Sequence, residues 1–302
     1  MRITTSKVGG TYRPCIVVGD RVFDLCGATD AFIADGNFAA LPAPDHVEHL
    51  LAQGPEGLVQ AAKVVDWAVG RGNAHSQPLA DARLTSPVRQ PQKIIGVGMN
   101  YRDHCAELGR PVPDEIRTFA MFANTLIGHD EPIILAREST MMDYEAELVI
   151  VIGKPGKHIS PERALDHVGG YAIGNDVSAR DFQLADPQAT RGKSGDTHSP
   201  LGPWIVTPDE LPAGASGLDI ELRVNGEIRQ KSNTSEMVFG VAEIVSFLSR
   251  YFTLIPGDLI FTGTPAGVQL GKTDPVWLKP GDRIDVEFTG LGRLSNICIA
   301  ED

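Results

Sequence analysis

Met142-Asp143-Tyr144-Glu145-Ala146-Glu147-Leu148-Val149-Ile150-Val151-Ile152-Gly153-Lys154 is the stretch from which the rest of the chain is read. From Glu147 onward it has the pattern of a buried strand, five apolar and mostly β-branched residues closed by glycine. Side chains alternate along a strand, so Glu145 and Glu147 point the same way. Two carboxylates at the mouth of a buried strand repel each other, at a cost of about 4 kcal/mol for unit charges ~4 Å apart in an effective dielectric near 20. A proton on one of them or a nearby positive charge must offset that, and a bound divalent cation is the simplest such charge. An E-x-E pair alone is more often a solvated strand face. The downstream residues decide the matter.

The composition sets the frame. The chain has 302 residues, 42% hydrophobic and 22% charged, enough for one large domain or two. A formal charge of −12 with no basic cluster argues against nucleic acid as a partner. An acidic substrate then needs a local cation. No stretch approaches the ~20 apolar residues of a membrane span, and the N-terminus lacks the apolar core of a signal peptide, so a cytoplasmic protein is expected. The four cysteines show no C-x-x-C spacing and read as thiols. Cys105 adjoins His104, but sequence neighbours on a helix point apart.

Residues 1–80 read as a small N-terminal domain. It has strands at 12–18 and 21–25 about a Gly19-Asp20 turn, then helical spacing from Val47 to Val69. The proline-bearing segment 81–92 reads as a linker to a second domain, 93–302. There a strand over 93–98 leads into a short helix with Asn100 as its N-cap and Gly109 just past its end. His104 and Glu107 then share a face, as an imidazole oriented by a carboxylate for general-base work. Asp176 lies just past a strand at 171–173 and is the third carboxylate. Three hard oxygen donors suit Mg²⁺ or Mn²⁺ better than zinc. Arg180 and Gln183, i+4 and i+7 from Asp176, would share a helical face with it. Residues 191–204 read as a glycine- and proline-rich loop, with Lys193 a candidate to neutralise a substrate oxyanion. An Asn225-Gly226 hairpin, a helix over 238–252 and strands near 259, 283–288 and 294–299 complete the chain. No regular β-α alternation, no G-x-G-x-x-G and no internal repeat is present.

Five ordered motifs carry a resemblance over residues 93 to about 300: G-V-G-M-N-Y-R-D-H-C-A-E-L, D-Y-E-A-E-L-V-I-V-I-G-K, G-Y-A-I-G-N-D-V-S-A-R-D, K-S-G-D with L-G-P-W, and P-G-D-L-I-F-T-G-T-P-A-G-V. Together they resemble the fumarylacetoacetate hydrolase superfamily, in the branch of acylpyruvases and 2-hydroxyhepta-2,4-diene-1,7-dioate isomerases. The resemblance implies an α+β, predominantly β fold: a mixed β-sandwich roll with a small N-terminal α+β domain, assembled as a homodimer. It implies Mg²⁺ or Mn²⁺ on Glu145, Glu147 and Asp176, catalysis by His104, Glu107 and Lys193, and substrate contacts from Arg180, Gln183 and Thr264. Many relatives carry phenylalanine where this chain has Gly195, and an apolar residue near Thr197-His198, which leads us to expect a wider or more polar pocket.

The expected reaction is hydrolysis of a carbon–carbon bond in a 2,4-diketo acid, giving pyruvate and a carboxylic acid, with a small 2-oxo acid as the only partner besides a second copy. Decarboxylation of an oxaloacetate-like acid or isomerisation of a 2-hydroxydienedioate would use the same enolate chemistry. A catalytically silent binding protein is the remaining alternative, and the survival of the carboxylates, the dyad and Lys193 in one chain speaks against it.

Overall fold

The computed structural model describes residues 1–185 and 187–302. At its centre lies the strand Ala146–Ile152, every residue of it buried. It pairs antiparallel with Val168–Asn175 on one side and with Leu259–Phe261 on the other. Leu148, Ile150 and Ile152 enter a core shared with Ile220, Leu222, Val286 and Leu294 of a second sheet. Val149 and Val151, on the opposite face, enter a core with Phe32, Val47, Val64 and Val65 of the N-terminal helices. A strand covered on both faces has no solvent side, which is why its sequence is apolar without interruption.

Among the described residues the principal sheet has twelve strands. Beyond Val168–Asn175 it continues through Ser199–Val206 to the N-terminal strands Arg2–Val8, Thr11–Val18, Arg21–Asp24 and Ser76–Pro78. Beyond Leu259–Phe261 it continues through Ile94–Gly98 and Arg117–Met121. The N-terminal segment is thus joined to the rest by backbone pairing, Arg2 opposite Val206. Within 81–92, Leu84–Thr85 pairs with Arg2–Val8. The second sheet runs Glu227–Asn233, Asp219–Val224, Arg283–Phe288, Gly292–Ala300, Ile133–Leu135. Helices Leu25–Ala34, Val47–Ala52 and Gly54–Gly70 cover the far face of the principal sheet, and Val241–Tyr251 buries Val241, Ile244, Val245 and Leu248 in the core between the sheets. The fold is α+β with strands predominating. Among the described residues no helix is long and apolar enough to cross a membrane.

Several local expectations are corrected. Asn100 does not cap the helix Arg102–Glu107; Tyr101 occupies that position. The Asn100 amide donates instead to the carbonyls of Thr262 and Phe239. Asp176 is not on the helix of Arg180 and Gln183, because Val177 and the short strand Ser178–Ala179 intervene. Residues 191–204 are only partly loop: Thr190–Lys193 is helical and Ser199–Val206 is a full strand. Prolines 200 and 203 disguise that strand, since each lacks a ladder donor.

Candidate active site and metal centre

Strand register builds the carboxylate group. Ala146 lies opposite Asn175, so Glu145 and Asp176 meet just beyond the paired ends. The Asp176 N–H donates to the Glu145 carbonyl at 2.9 Å, and the Glu145 N–H donates to the Asn175 side chain at 3.0 Å. Glu145, Glu147 and Asp176 are all buried, and each offers an oxygen within 4.8 Å of the other two. A glycine turn supports Glu147. Gly263, at φ +96°, donates its N–H to Glu147 Oε2 at 2.8 Å, and a Cβ there would stand 2.9 Å from the Val97 carbonyl oxygen. Only glycine adopts that conformation without strain.

Two buried cations face these acids. Lys193 Nζ donates to Glu145 Oε2 at 2.6 Å and to Asp176 Oδ2 at 2.7 Å. Arg180 Nη2 donates to Glu145 Oε1 at 2.6 Å, its Nε to Asp143 Oδ2 at 2.9 Å, and its Nη1 to Gln183 Oε1 at 2.9 Å. Four buried carboxylates (Asp143, Glu145, Glu147 and Asp176) therefore oppose two buried cations, a formal excess of two negative charges. The excess is uneven. Burial would raise the Glu145 carboxyl, but Arg180 and Lys193 beside it hold it well below the usual carboxylate range. Burial pushes Glu147 well up, reinforced by the charges of Asp176 and Glu145. Asp176 is raised as well, by burial and by Glu145, against the opposing pull of Lys193. Its Oδ1 is buried with no hydrogen-bond donor. An orphaned carboxylate oxygen, beside an acid that has no ion-pair partner among the described residues, fits a divalent cation held by these three oxygens.

His104 and Glu107 stand over the group on the helix Arg102–Glu107. His104 Nδ1 lies 3.4 Å from Glu107 Oε2. Glu107 is itself anchored: the Gly267 N–H, at φ +115°, donates to both its oxygens at 3.0 Å, and Lys272 Nζ reaches Oε1 at 3.3 Å. Burial works to raise its carboxyl, but the bonds from His104 and Gly267 outweigh it and keep the group below its ordinary range. Cys105 turns away and is buried; burial, with the charge of Asp103, pushes its thiol up, the wrong direction for a nucleophile.

A cavity of about 470 Å³ opens onto this group. His104, Glu145, Glu147, Arg180, Gln183, Lys193 and Thr264 all line it. Asp176 lies behind Lys193, and Glu107 behind His104. The Lys193 ammonium is committed to two carboxylates. The Thr264 hydroxyl donates to the Ala146 carbonyl at 2.9 Å and accepts from Gln230 at 2.8 Å, so it braces the start of the strand. Gly195 does not widen the cavity. It lies against the buried His198 ring, whose Cε1 would be 2.4 Å from a Cβ at 195. Two contributors escaped the sequence reading. Asp143 was legible in principle, because it continues the same alternation as Glu145 and Glu147. Gln230, which ties the Ala146 N–H to Thr264 and Pro265, carries no local signal.

Residues 93–298 match the family model described as fumarylacetoacetate (FAA) hydrolase C-terminal. The chain is 42% identical over 255 residues to an oxaloacetate tautomerase, the mitochondrial fahd2 of Xenopus laevis, covering 84% of this chain and 78% of that protein. Among solved structures it is similar to the fumarylacetoacetate hydrolase of psychrophilic Exiguobacterium antarcticum, at a TM-score of 0.81 and 34% identity over the whole of both chains. It is also similar to a 2-hydroxyhepta-2,4-diene-1,7-dioate isomerase from Mycobacterium marinum, at a TM-score of 0.75 and 31% identity over 100% of this chain and 99% of that one.

Proposed function

This chain belongs to the fumarylacetoacetate hydrolase family, and from that premise we propose that it moves a proton between carbon and oxygen in a dicarboxylic 2-oxo acid of the oxaloacetate kind. The observation that carries the reading is the buried group of Glu145, Glu147 and Asp176, opening onto a cavity that His104 also lines. The tautomerase and isomerase names of the relatives support proton transfer over bond hydrolysis. Glu145, Glu147 and Asp176 would hold Mg²⁺ or Mn²⁺, which as a Lewis acid would favour negative charge on the oxygen of the 2-oxo group.

The chain's own residues do the rest. His104 Nδ1 faces Glu107, which leaves Nε2 to accept the proton from C3 of the substrate. The C–H electrons become the C2–C3 double bond, and His104 returns the proton to the oxygen on C2. Glu107, held by the Gly267 N–H and Lys272, fixes the imidazole orientation and favours its transient cation. Arg180 occupies Gln183 Oε1, which turns the Gln183 amide N–H bonds free to donate to a substrate oxygen. Lys193 and Arg180 keep Glu145 ionised.

Hydrolysis of a 2,4-diketo acid is the second reading, favoured by the His104–Glu107 pair, which could equally deprotonate a water. One experiment separates them: enol oxaloacetate and acetylpyruvate are each followed by ultraviolet absorbance with and without Mg²⁺, with pyruvate assayed separately. Faster loss of the enol without pyruvate above background supports proton transfer. Pyruvate from oxaloacetate indicates decarboxylation, and cleavage of acetylpyruvate indicates hydrolysis. Turnover of neither, by protein that binds the metal, leaves the silent binding protein. The reading includes a homodimer, tested by light scattering for twice 32.4 kDa.

A further inference from the structure

The cavity is polar at its floor and apolar at its mouth. Glu145, Glu147, Arg180 and Lys193 lie deep, whereas Leu108, Phe119, Leu184, Pro187 and Leu270 form much of the outer wall. Among the described residues one charged side chain interrupts that outer wall: Arg110, exposed, two residues beyond Leu108 at the end of the helix that carries His104. The cations of the floor are committed to carboxylates, as is Lys272 outside it. The Arg110 guanidinium has neither an ion pair nor a side-chain hydrogen bond among the described residues. Its backbone is fixed, with Gly109 at φ +61° and the Arg110 N–H donating to the Cys105 carbonyl at 2.9 Å.

We infer that Arg110 is a specificity-determining residue that receives the distal carboxylate of a dicarboxylic 2-oxo acid whose oxo-acid end lies at the floor. This rests on the proposed reading of the floor, and it adds which acids are chosen. An unpaired guanidinium beside apolar side chains loses little by exchanging water for a carboxylate, and its planar fork matches that group in two hydrogen bonds. A substrate with an uncharged tail gains nothing there. The apolar wall around Arg110 lowers the local dielectric and so sharpens the choice between charged and neutral tails. Arg110 touches no reacting atom, so its effect falls on binding and leaves the chemical step alone.

The test compares wild type with Arg110→Met and Arg110→Lys, with Mg²⁺ present. Pyruvate, oxaloacetate, 2-oxoglutarate and 2-oxoadipate are titrated by calorimetry, and KM and kcat are measured for whichever acids turn over. Arg110→Met is expected to weaken at least one diacid about tenfold or more, the range of a charge-assisted hydrogen bond. It should leave pyruvate within about twofold and kcat nearly unchanged, with Arg110→Lys recovering part of the loss. Equal effects on pyruvate and every diacid, or no effect on any, would overturn the inference. If wild type discriminates in binding but turns nothing over, the proton-transfer reading falls while Arg110 keeps its role. If wild type binds no 2-oxo acid at all, both fall.

Discussion

At the scale of single residues, the site is a problem in charge balance. Asp143 and Arg180 are both buried, and Arg180 also serves Glu145 and Gln183. Breaking such a pair from one side leaves a buried charge short of a partner, so Asp143→Asn should cost about 3 kcal/mol of unfolding free energy. Urea denaturation reads this directly, and an unshifted midpoint would show that the pair contributes nothing. His198 offers a pH test away from the carboxylates. It is buried, donates its Nε2–H to the Ile134 carbonyl, and has an unpartnered Nδ1. Burial pushes its imidazole down to about 4. The folded state therefore holds His198 neutral at pH values where the unfolded chain already protonates it. Its contribution is complete above about pH 6.5 and is lost as pH falls toward 4, about 3 kcal/mol in all. The wild type should lose more stability across that window than His198→Gln; parallel losses would contradict the assignment. The acids Glu145, Glu147 and Asp176 were readable from period-two alternation and position. The commitment of Lys193 to two of them was not, because it depends on a pairing between segments distant in sequence.

Secondary-structure elements decide where those residues can stand. The Ala146–Ile152 run was legible because burial on both faces removes every polar residue from a strand. Ile150, wholly buried, should cost about 2–5 kcal/mol when cut to alanine, measured by the same urea titration. A smaller loss would mean that the two sheets can close over the gap. The turns are less forgiving. Gly263→Ala asks a residue with a Cβ to hold φ +96° against Val97 and Asn100, and it should remove the N–H support of Glu147. We expect weakened metal binding by calorimetry as well as a lower melting temperature. A variant with unchanged metal affinity would show that this N–H is not needed. The strand Ser199–Val206 was hidden by its prolines, and the helix Leu25–Ala34 by a short, mixed pattern with glycine at its third position. Composition misled where tertiary pairing overrode it.

At the scale of the whole molecule, the first eighty residues supply no side chain to the cavity, yet they extend the principal sheet and cover its far face. The amino terminus itself is tied down, bonding Thr207 at 2.5 Å and pairing with Glu210. A fragment of residues 81–302 would expose the edge of Ser199–Val206 and the apolar side chains of Val149, Val151, Leu259 and Phe261. It should aggregate or fail to fold; a soluble, cooperatively melting fragment would contradict that. Before residue 80 the strands at 12–18 and 21–25 and the helical spacing from Val47 to Val69 were legible, but the strand Arg2–Val8 and its continuity with the later sheet were not. No local pattern states that Arg2 pairs with Val206, 204 residues away.

The central claim is that three carboxylates, brought together at the ends of two paired strands, hold one divalent cation. Crystals grown with Mn²⁺ and measured at the manganese absorption edge test it most directly. The account predicts a single strong anomalous peak in contact with Glu145, Glu147 and Asp176, absent from Glu147→Gln crystals. No peak there, or one undiminished by that substitution, would contradict it.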